Sequence, residues 1–468
     1  MAFPRHAFRE YDVRGVADRD LKGELARGLG RAYARAIGEG LAGPPHIAVG
    51  RDGRSSSPRL AEAVVEGMLD VGARVTRVGI GPTPLLYFAA HHLGTDGALM
   101  VTGSHNPAED NGFKMMRGKA SFFGADVQAL ADAMESEGGS VPTGARGEAT
   151  DLDLEAEYVE AVRERSRLSR TDLKIVVDAG NGSAGPLGLR TLRALGLDPD
   201  PLFCDIDPRF PNHHPDPTVP ENLAALQARV KETGAAVGLA WDGDGDRLGA
   251  VDRDGTIVWG DRLMILFSRA LLRDHPGATI LGEVKCSQTL YADIAAHGGR
   301  PVVWKTGHSL IKTKMKEEKA LLAGEMSGHL FFADRWFGFD DGIYAAIRLV
   351  EILAQENKSI GELLADVPTT YVTPEIRVPC LDAVKFDVVA RVREHFSKSH
   401  PVLAVDGARI DFGDQAWGLC RASNTGPVLV LRFEAKSVAR RDAIRADVER
   451  VVAEAERSFV SSLETRVP

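Results

Sequence analysis

The chain has 468 residues, of which 44% are hydrophobic and 26% charged, with a formal net charge of −9. That length suits about three domains, and the acidic balance excludes a general affinity for nucleic acid or anionic membrane, so an anionic substrate must meet local positive groups. No run approaches the ~18 apolar residues of a membrane span, and MAFPRHAFREYD at the start lacks a signal peptide's apolar core.

The four cysteines, Cys204, Cys286, Cys380 and Cys420, form no CxxC pair and suit reduced thiols. A soluble, cytoplasmic protein with no nucleic-acid or membrane partner is expected. In chain order, an apolar strand, a polar turn, an amphipathic helix and a further strand recur three times, over 46–79, 173–197 and 278–307. Repetition of that unit predicts three similar α/β domains, although the residues themselves do not repeat. The lysine-rich KTKMKEEKA (312–320) reads as a solvated helix face. After about residue 400, VLAVDGARIDFG, WGLCRAS and PVLVLRFEA read as successive antiparallel strands, followed by a charged helix from Ser437 to Glu456. This stretch is expected to form a smaller α+β domain. Gly-rich residues 136–150 and Pro-bearing residues 364–375 mark two boundaries. Composition gives no sign of a third boundary, near 250–260. The expected domains are 1–148, 149–252, 253–366 and 367–468.

Within LAWDGDGDRLGAV (239–251), Asp242, Asp244 and Asp246 alternate with two glycines. Crowded carboxylates repel one another unless a cation lies between them, and glycine at both gaps lets the backbone curl so that the oxygens converge. An all-oxygen ligand set favours a hard ion, Mg²⁺ or Ca²⁺, over zinc. An EF-hand loop would need Gly and Glu where this chain has Arg247 and Arg253, so that reading fails. A plain Asp-Gly hairpin is the simpler alternative. Three carboxylates leave a Mg²⁺ short of its octahedron, and a phosphate oxygen is a usual further ligand.

LMVTGSHNPAED (99–110) places Ser104 beside His105 in a loop rich in turn-forming residues. No GxSxG elbow occurs, and nothing nearby supplies a triad carboxylate in a recognisable pattern. Ser104 is then either part of a turn or a phosphoryl carrier whose phosphate completes the coordination of the Asp-bound metal. FPNHHPDPT (210–218) holds a His-His pair, but its prolines make it first of all a stiff loop.

TGSHNP, DGDGDR, GEMSGH (324–329) and RASNTGP (421–427), in this order and spacing, resemble the α-D-phosphohexomutases, most closely the bacterial phosphomannomutase/phosphoglucomutase branch. FREYDVRG (8–15), NGFK (111–114), FPNHHPDPT and KTGHSLIK (305–312) extend the likeness over essentially the whole chain. The resemblance implies four domains around a central cleft, three of them α/β, in a monomer or weak dimer acting on hexose phosphates. It implies a phosphorylated Ser104, with Mg²⁺ held by Ser104, Asp242, Asp244 and Asp246. Glucose 1,6-bisphosphate is then activator and intermediate, turning end for end between two phosphoryl transfers that exchange sugar 1-phosphate and 6-phosphate.

Phosphoryl transfer requires positioning and neutralisation of negative charge, for which Arg247 and Arg14 are candidates. Lys114 and His105 are the local candidates for general base. Lys114 requires a lowered pKa for that role and is preferred, with His105 orienting the serine loop. Tyr11, Lys285, His308 and His329 are further cleft residues by motif position. Glu325 and Ser327 suit the sugar 3- and 4-hydroxyls, which leaves C2, where glucose and mannose differ, unread. Glu325 as a helix cap is the simpler role. Arg421, Ser423, Asn424 and Thr425 form an anion nest for the non-reacting phosphate. A phosphoglucosamine mutase of the same superfamily is the nearest alternative. Such enzymes usually carry Gln at the position of Met326 and Ala at that of Gly103. A hydrolase and a non-catalytic sugar-phosphate sensor are the competing classes.

Overall fold

The computed structural model describes residues 3–137, 144–423 and 426–464. Four sheets organise the chain. The first has His46–Arg51 at its centre, with Arg74–Ile80 and Gly97–Val101 parallel to it on either side. Asp110–Arg117 returns antiparallel to Gly97–Val101 and carries Val13–Val16 on its far edge. The second sheet is built on Ile175–Asp178 and Val237–Trp241, parallel, with Leu248–Asp252 antiparallel to the latter. In the third, Thr279–Glu283 lies between parallel Arg300–Trp304 and Leu322–Gly324, and Leu330–Phe332 closes antiparallel. Helices cover the parallel strands, which explains why runs such as IVVD (175–178) are buried along their whole length.

The fourth sheet is antiparallel, with Ala408–Asp411, Trp417–Ala422 and Val428–Ala435 at its centre. Helix Val438–Glu464 packs on it and runs further than the expected end at Glu456. Architecture thus follows the expectation of three α/β units and a smaller α+β unit. The strand Glu148–Asp151 straddles position 148 and pairs with Arg74–Ile80 of the first sheet. Ile257–Val258 pairs with Leu248–Asp252 of the second. The first and second sheets therefore reach slightly beyond residues 148 and 252. All four cysteines are free and buried. Among the described residues no helix is long and apolar enough to cross a membrane.

One apolar cluster runs through the three α/β layers, joining Tyr87 and Phe88 of the first to Leu239 and Trp241 of the second and to Phe267 and Ile347 of the third. The fourth domain keeps a cluster of its own and meets the rest at a small patch of Val284, Trp417 and Leu419. Polar contacts add to that junction. Arg409 donates to the Cys286 carbonyl at 2.9 Å, Arg432 to the Lys285 carbonyl at 2.7 Å, and Glu434 accepts from Ser287 Oγ at 2.6 Å.

Asp341 ties the second layer to the third. It caps helix Gly342–Glu356 by accepting from the Tyr344 amide at 2.9 Å, and it also accepts from the Tyr158 hydroxyl and from Trp336 Nε1. Burial outweighs these donors and pushes its carboxyl up to about 7. A carboxyl raised in the folded state favours the protonated form, so its contribution is full below pH ~4 and is lost as pH rises through ~7. Replacing Asp341 by Asn removes this dependence. The wild-type stability advantage over Asp341→Asn should fall by on the order of 3 kcal/mol between pH 5 and pH 8. Urea unfolding of both proteins at the two pH values measures it, and parallel curves would refute the assignment.

Candidate active site

In each α/β layer the chain leaves a parallel strand, makes a loop, and returns as an antiparallel neighbour. Those three loops are TGSHNPAE (102–109), DGDGDR (242–247) and EMSGH (325–329). Three motifs with no residue pattern in common therefore occupy one topological position in three layers, and the layers bring them together.

Ser104 sits at the tip of the first loop with φ +50°, a left-handed backbone seldom taken by a residue other than glycine. Its Oγ donates to Asp242 Oδ2 at 3.1 Å and lies 3.1 Å from His105 Nδ1. Gly243 allows this approach, because a Cβ there would lie 2.3 Å from the Ser104 carbonyl oxygen. Gly245 supplies φ +75° for the curl. Asp242, Asp244 and Asp246 are fully buried, and their oxygens lie within 4.8 Å of one another.

Lys114 Nζ donates to Asp244 Oδ2 at 2.6 Å and to Asp246 Oδ2 at 2.5 Å. Burial works to lower the lysine's pKa, but the two carboxylates outweigh it and hold the ammonium well above its ordinary value. In this arrangement Lys114 is a cation paired with two carboxylates, whereas the base role expected of it needs a lowered pKa. Asp242 is pushed well above its ordinary value by burial and by its two acidic neighbours. For Asp244 burial acts upward, yet Lys114 and the hydroxyls of Thr83 and Ser104 hold it below its usual range. Three carboxylates still outnumber one ammonium, and Asp244 Oδ1 and Asp246 Oδ1 have no hydrogen-bond partner. That donor set fits a hard divalent cation.

Arg247 connects this cluster to the third loop. Its amide donates to Asp242 Oδ1 at 3.2 Å, and its Nε donates to His329 Nε2 at 3.0 Å. With Nε2 accepting, His329 carries its proton on Nδ1, which faces Asp340 Oδ2 at 3.0 Å and Asp246 Oδ1 at 3.5 Å. Lys312 pairs with Asp340 at 2.9 Å, and the His308 ring stacks on His329 with centroids 5.4 Å apart. KTKMKEEKA is thus only in part a solvated face: Lys314 pairs with Glu317 and Glu318 outside, whereas Lys312 turns inward. Burial, with Lys312 adding to it, depresses His308. Burial followed by Arg247 and Arg14 depresses His105. Arg14 Nη1 donates to Asn106 Oδ1 at 2.9 Å while its Nη2 pairs with Asp12, and the Tyr11 hydroxyl donates to the Thr306 carbonyl at 3.1 Å.

Glu325 stands between the start of a helix and the cleft. Its Oε1 accepts the Gly307 amide at 2.6 Å, at the start of helix His308–Glu318, and its Oε2 accepts from Ser327 Oγ at 2.9 Å, beside open space. Across the cleft, Lys285 pairs with Glu375, and Arg421 Nε donates to Asp406 Oδ2 at 2.9 Å. Lys385 is buried behind the last loop and donates to the carbonyls of Ser423 and Gly426 at 2.7 and 3.1 Å. Asn424 and Thr425 lie outside the described residues.

A single cleft of about 900 Å³ is lined by Tyr11, Arg14, Ser104, His105, Lys114, Arg247, Lys285, His308, Glu325, Ser327, His329, Arg421 and Ser423, with the three aspartates beneath it. The chain matches the phosphoglucomutase/phosphomannomutase family, α/β/α domains I, II and III over residues 5–138, 156–255 and 259–371, and its C-terminal domain over 375–451. It is 45% identical over 464 residues to a phosphomannomutase/phosphoglucomutase of Pseudomonas putida, covering 98% of each chain. The chain belongs to the phosphoglucomutase/phosphomannomutase family.

As a phosphohexomutase it is an isomerase exchanging the 1- and 6-phosphates of hexoses. Other family members agree at similar coverage. A Pseudomonas aeruginosa phosphomannomutase/phosphoglucomutase is 46% identical over 92% of each chain, and a Neisseria gonorrhoeae phosphoglucomutase is 42% identical over 96% of this chain and 97% of its own. The solved structure of a family protein from Burkholderia thailandensis superimposes with a TM-score of 0.89 at 42% identity, covering 96% of this chain and 98% of that one. Motif reading took Lys312 for part of a solvated face and missed Asp340, Lys385 and Glu375 of this phosphohexomutase. Only the paired acids of GFDDG (338–342) offered any sign.

Proposed function

We propose that the chain is a Mg²⁺-dependent phosphohexomutase for mannose and glucose phosphates, working through phosphorylated Ser104 and a hexose 1,6-bisphosphate. The observation that carries the reading is Ser104 Oγ on Asp242 at 3.1 Å, at the floor of a cleft whose other wall presents Glu325 and Ser327. Mg²⁺, held by Asp242, Asp244, Asp246 and the Ser104 phosphate, supplies neutralisation of the transferring group's charge. Arg247 and Arg14 screen the same group, and Lys114 keeps the carboxylates compact.

In the transfer a sugar hydroxyl oxygen bonds to phosphorus, the bond to Ser104 Oγ breaks, and the hydroxyl proton must leave. His329, which lines the cleft beside Ser104 and Lys114, takes that proton in this reading when its Nε2 exchanges the bond from Arg247 Nε for one from the sugar hydroxyl. Lys114, already bonded to two carboxylates, is not available for that task. A positioned base of this kind contributes about 10²–10⁴-fold. Glu325 and Ser327 grip the 3- and 4-hydroxyls, a contact that survives reversal of the sugar and does not read C2. The relatives named for both sugars support this dual use. Arg421, Ser423 and Lys285, with His308 and Tyr11 at the cleft wall, hold the phosphate that is not reacting.

Phosphorus NMR of glucose, mannose and glucosamine 1-phosphates, each with enzyme, Mg²⁺ and a trace of glucose 1,6-bisphosphate, tests the reading. Glucose and mannose 6-phosphates are expected without inorganic phosphate. Turnover of the glucosamine compound alone would overturn the sugar assignment, and growth of inorganic phosphate would overturn the mutase mechanism.

A further inference from the structure

Among the largest fully buried side chains of the described residues, Arg54 is the one that carries a charge. It comes from RDGRSSSP (51–58), outside every motif used above, and it does not line the cleft. A guanidinium so enclosed is costly unless its donors are met, and here both Nη groups are met by a single loop, while Nε faces Asp52 without a hydrogen bond. Nη2 donates to the carbonyls of Ser104 and Asn106 at 2.8 and 2.6 Å, and Nη1 to those of Asp110, at 3.0 Å, and Pro107. His214 Nε2 bonds the one carbonyl between, that of His105. Four consecutive carbonyls, from Ser104 to Pro107, are thus held from behind.

Other groups complete the grip. Asp52 lies 3.3 Å from Arg54 Nε and accepts the Gly103 amide at 3.1 Å. Phe210, from the proline-rich loop of the second domain, covers the guanidinium at 5.2 Å. Gly103 is the residue that admits Arg54 so close, because a Cβ there would lie 2.4 Å from its Cζ.

The orientation has a consequence for charge. A planar trans peptide points its N–H opposite to its C=O. With the Ser104 carbonyl bonded to Arg54, the His105 N–H points away from that guanidinium, and the positive end of the peptide dipole with it. We propose that Arg54 is a positioning residue for phosphoryl transfer: its fork of donors holds Ser104 in the left-handed conformation and turns the loop's peptide dipoles toward the phosphoryl group. This rests on Ser104 being the phosphoryl carrier.

Arg54→Lys and Arg54→Gln test it, with kinetics, thermal unfolding and intact-mass measurement of phospho-Ser104 after bisphosphate treatment. Lysine keeps the charge but offers its donors from one point, which does not span carbonyls from residue 104 to residue 110. Both variants should fold and lose on the order of 100-fold in kcat, the scale of one removed preorganised donor, with KM for glucose 1-phosphate changed less than about threefold. Their phosphoenzyme should be short-lived and the occupancy of Ser104 low. Wild-type kcat in Arg54→Lys would overturn the proposal, since a buried positive charge would then suffice. Failure of both variants to fold would also overturn it, making Arg54 a structural group. Absence of phosphoryl uptake by Ser104 in the unsubstituted enzyme would instead overturn the reading beneath it.

Discussion

Ser104→Ala is expected to fold normally, take up no phosphoryl group from hexose 1,6-bisphosphate, and lose on the order of 10⁴-fold or more in kcat, as removal of a covalent nucleophile does elsewhere. Two other hydroxyls lie close, and neither can substitute. Thr102 Oγ1 accepts the Ser104 amide at 2.8 Å and so faces back into the loop. Thr83 donates to Asp244 Oδ2, but it is fully buried and outside the cleft. Intact-mass spectrometry gives the decisive readout. A phosphorylated Ser104→Ala protein would move the carrier elsewhere, and retained turnover would remove the covalent step altogether.

Asp244→Asn is the second large effect expected. The substitution removes one charge from the carboxylate cluster and one of the two anchors of Lys114, while Thr83 retains a side-chain oxygen to bond. Metal-supplied charge stabilisation amounts to several kcal/mol, so kcat should fall about 10²–10³-fold and the Mg²⁺ concentration for half-maximal rate should rise at least about tenfold. Rates are measured across a Mg²⁺ series after treatment with a chelator. Full activity in the chelator, or an unchanged Mg²⁺ dependence in the variant, would dismiss the aspartates as a metal site.

What could be read in the chain follows from how local each interaction is. DGDGDR declares itself because its three carboxylates and two glycines are consecutive, and the chemistry that needs them is written in six residues. The βαβ runs were visible for the same reason. The hairpin after each run, which carries the working loop, was not read as a repeat because TGSHNPAE, DGDGDR and EMSGH share only their position. The pairing of Lys114 could not be read from NGFK because its partners, Asp244 and Asp246, lie 130 and 132 residues away. GFDDG is the sharpest case. Its adjacent acids diverge, Asp340 toward His329 and Lys312, Asp341 into an apolar pocket with Tyr158 and Trp336. No property of the two letters says which goes where.

The division of the apolar core bears on how the molecule fails. The three α/β layers share one cluster, although the first also keeps one of its own, whereas the last domain meets the rest at a small apolar patch and through polar bonds. The last domain is therefore expected to open as a unit of its own. Mild heat or denaturant is expected to release the C-terminal unit first, together with Arg421 and the loop that Lys385 supports. Serine, carboxylates and sugar hairpin stay in register in the larger unit, so the grip on substrate is lost before the capacity to carry a phosphoryl group.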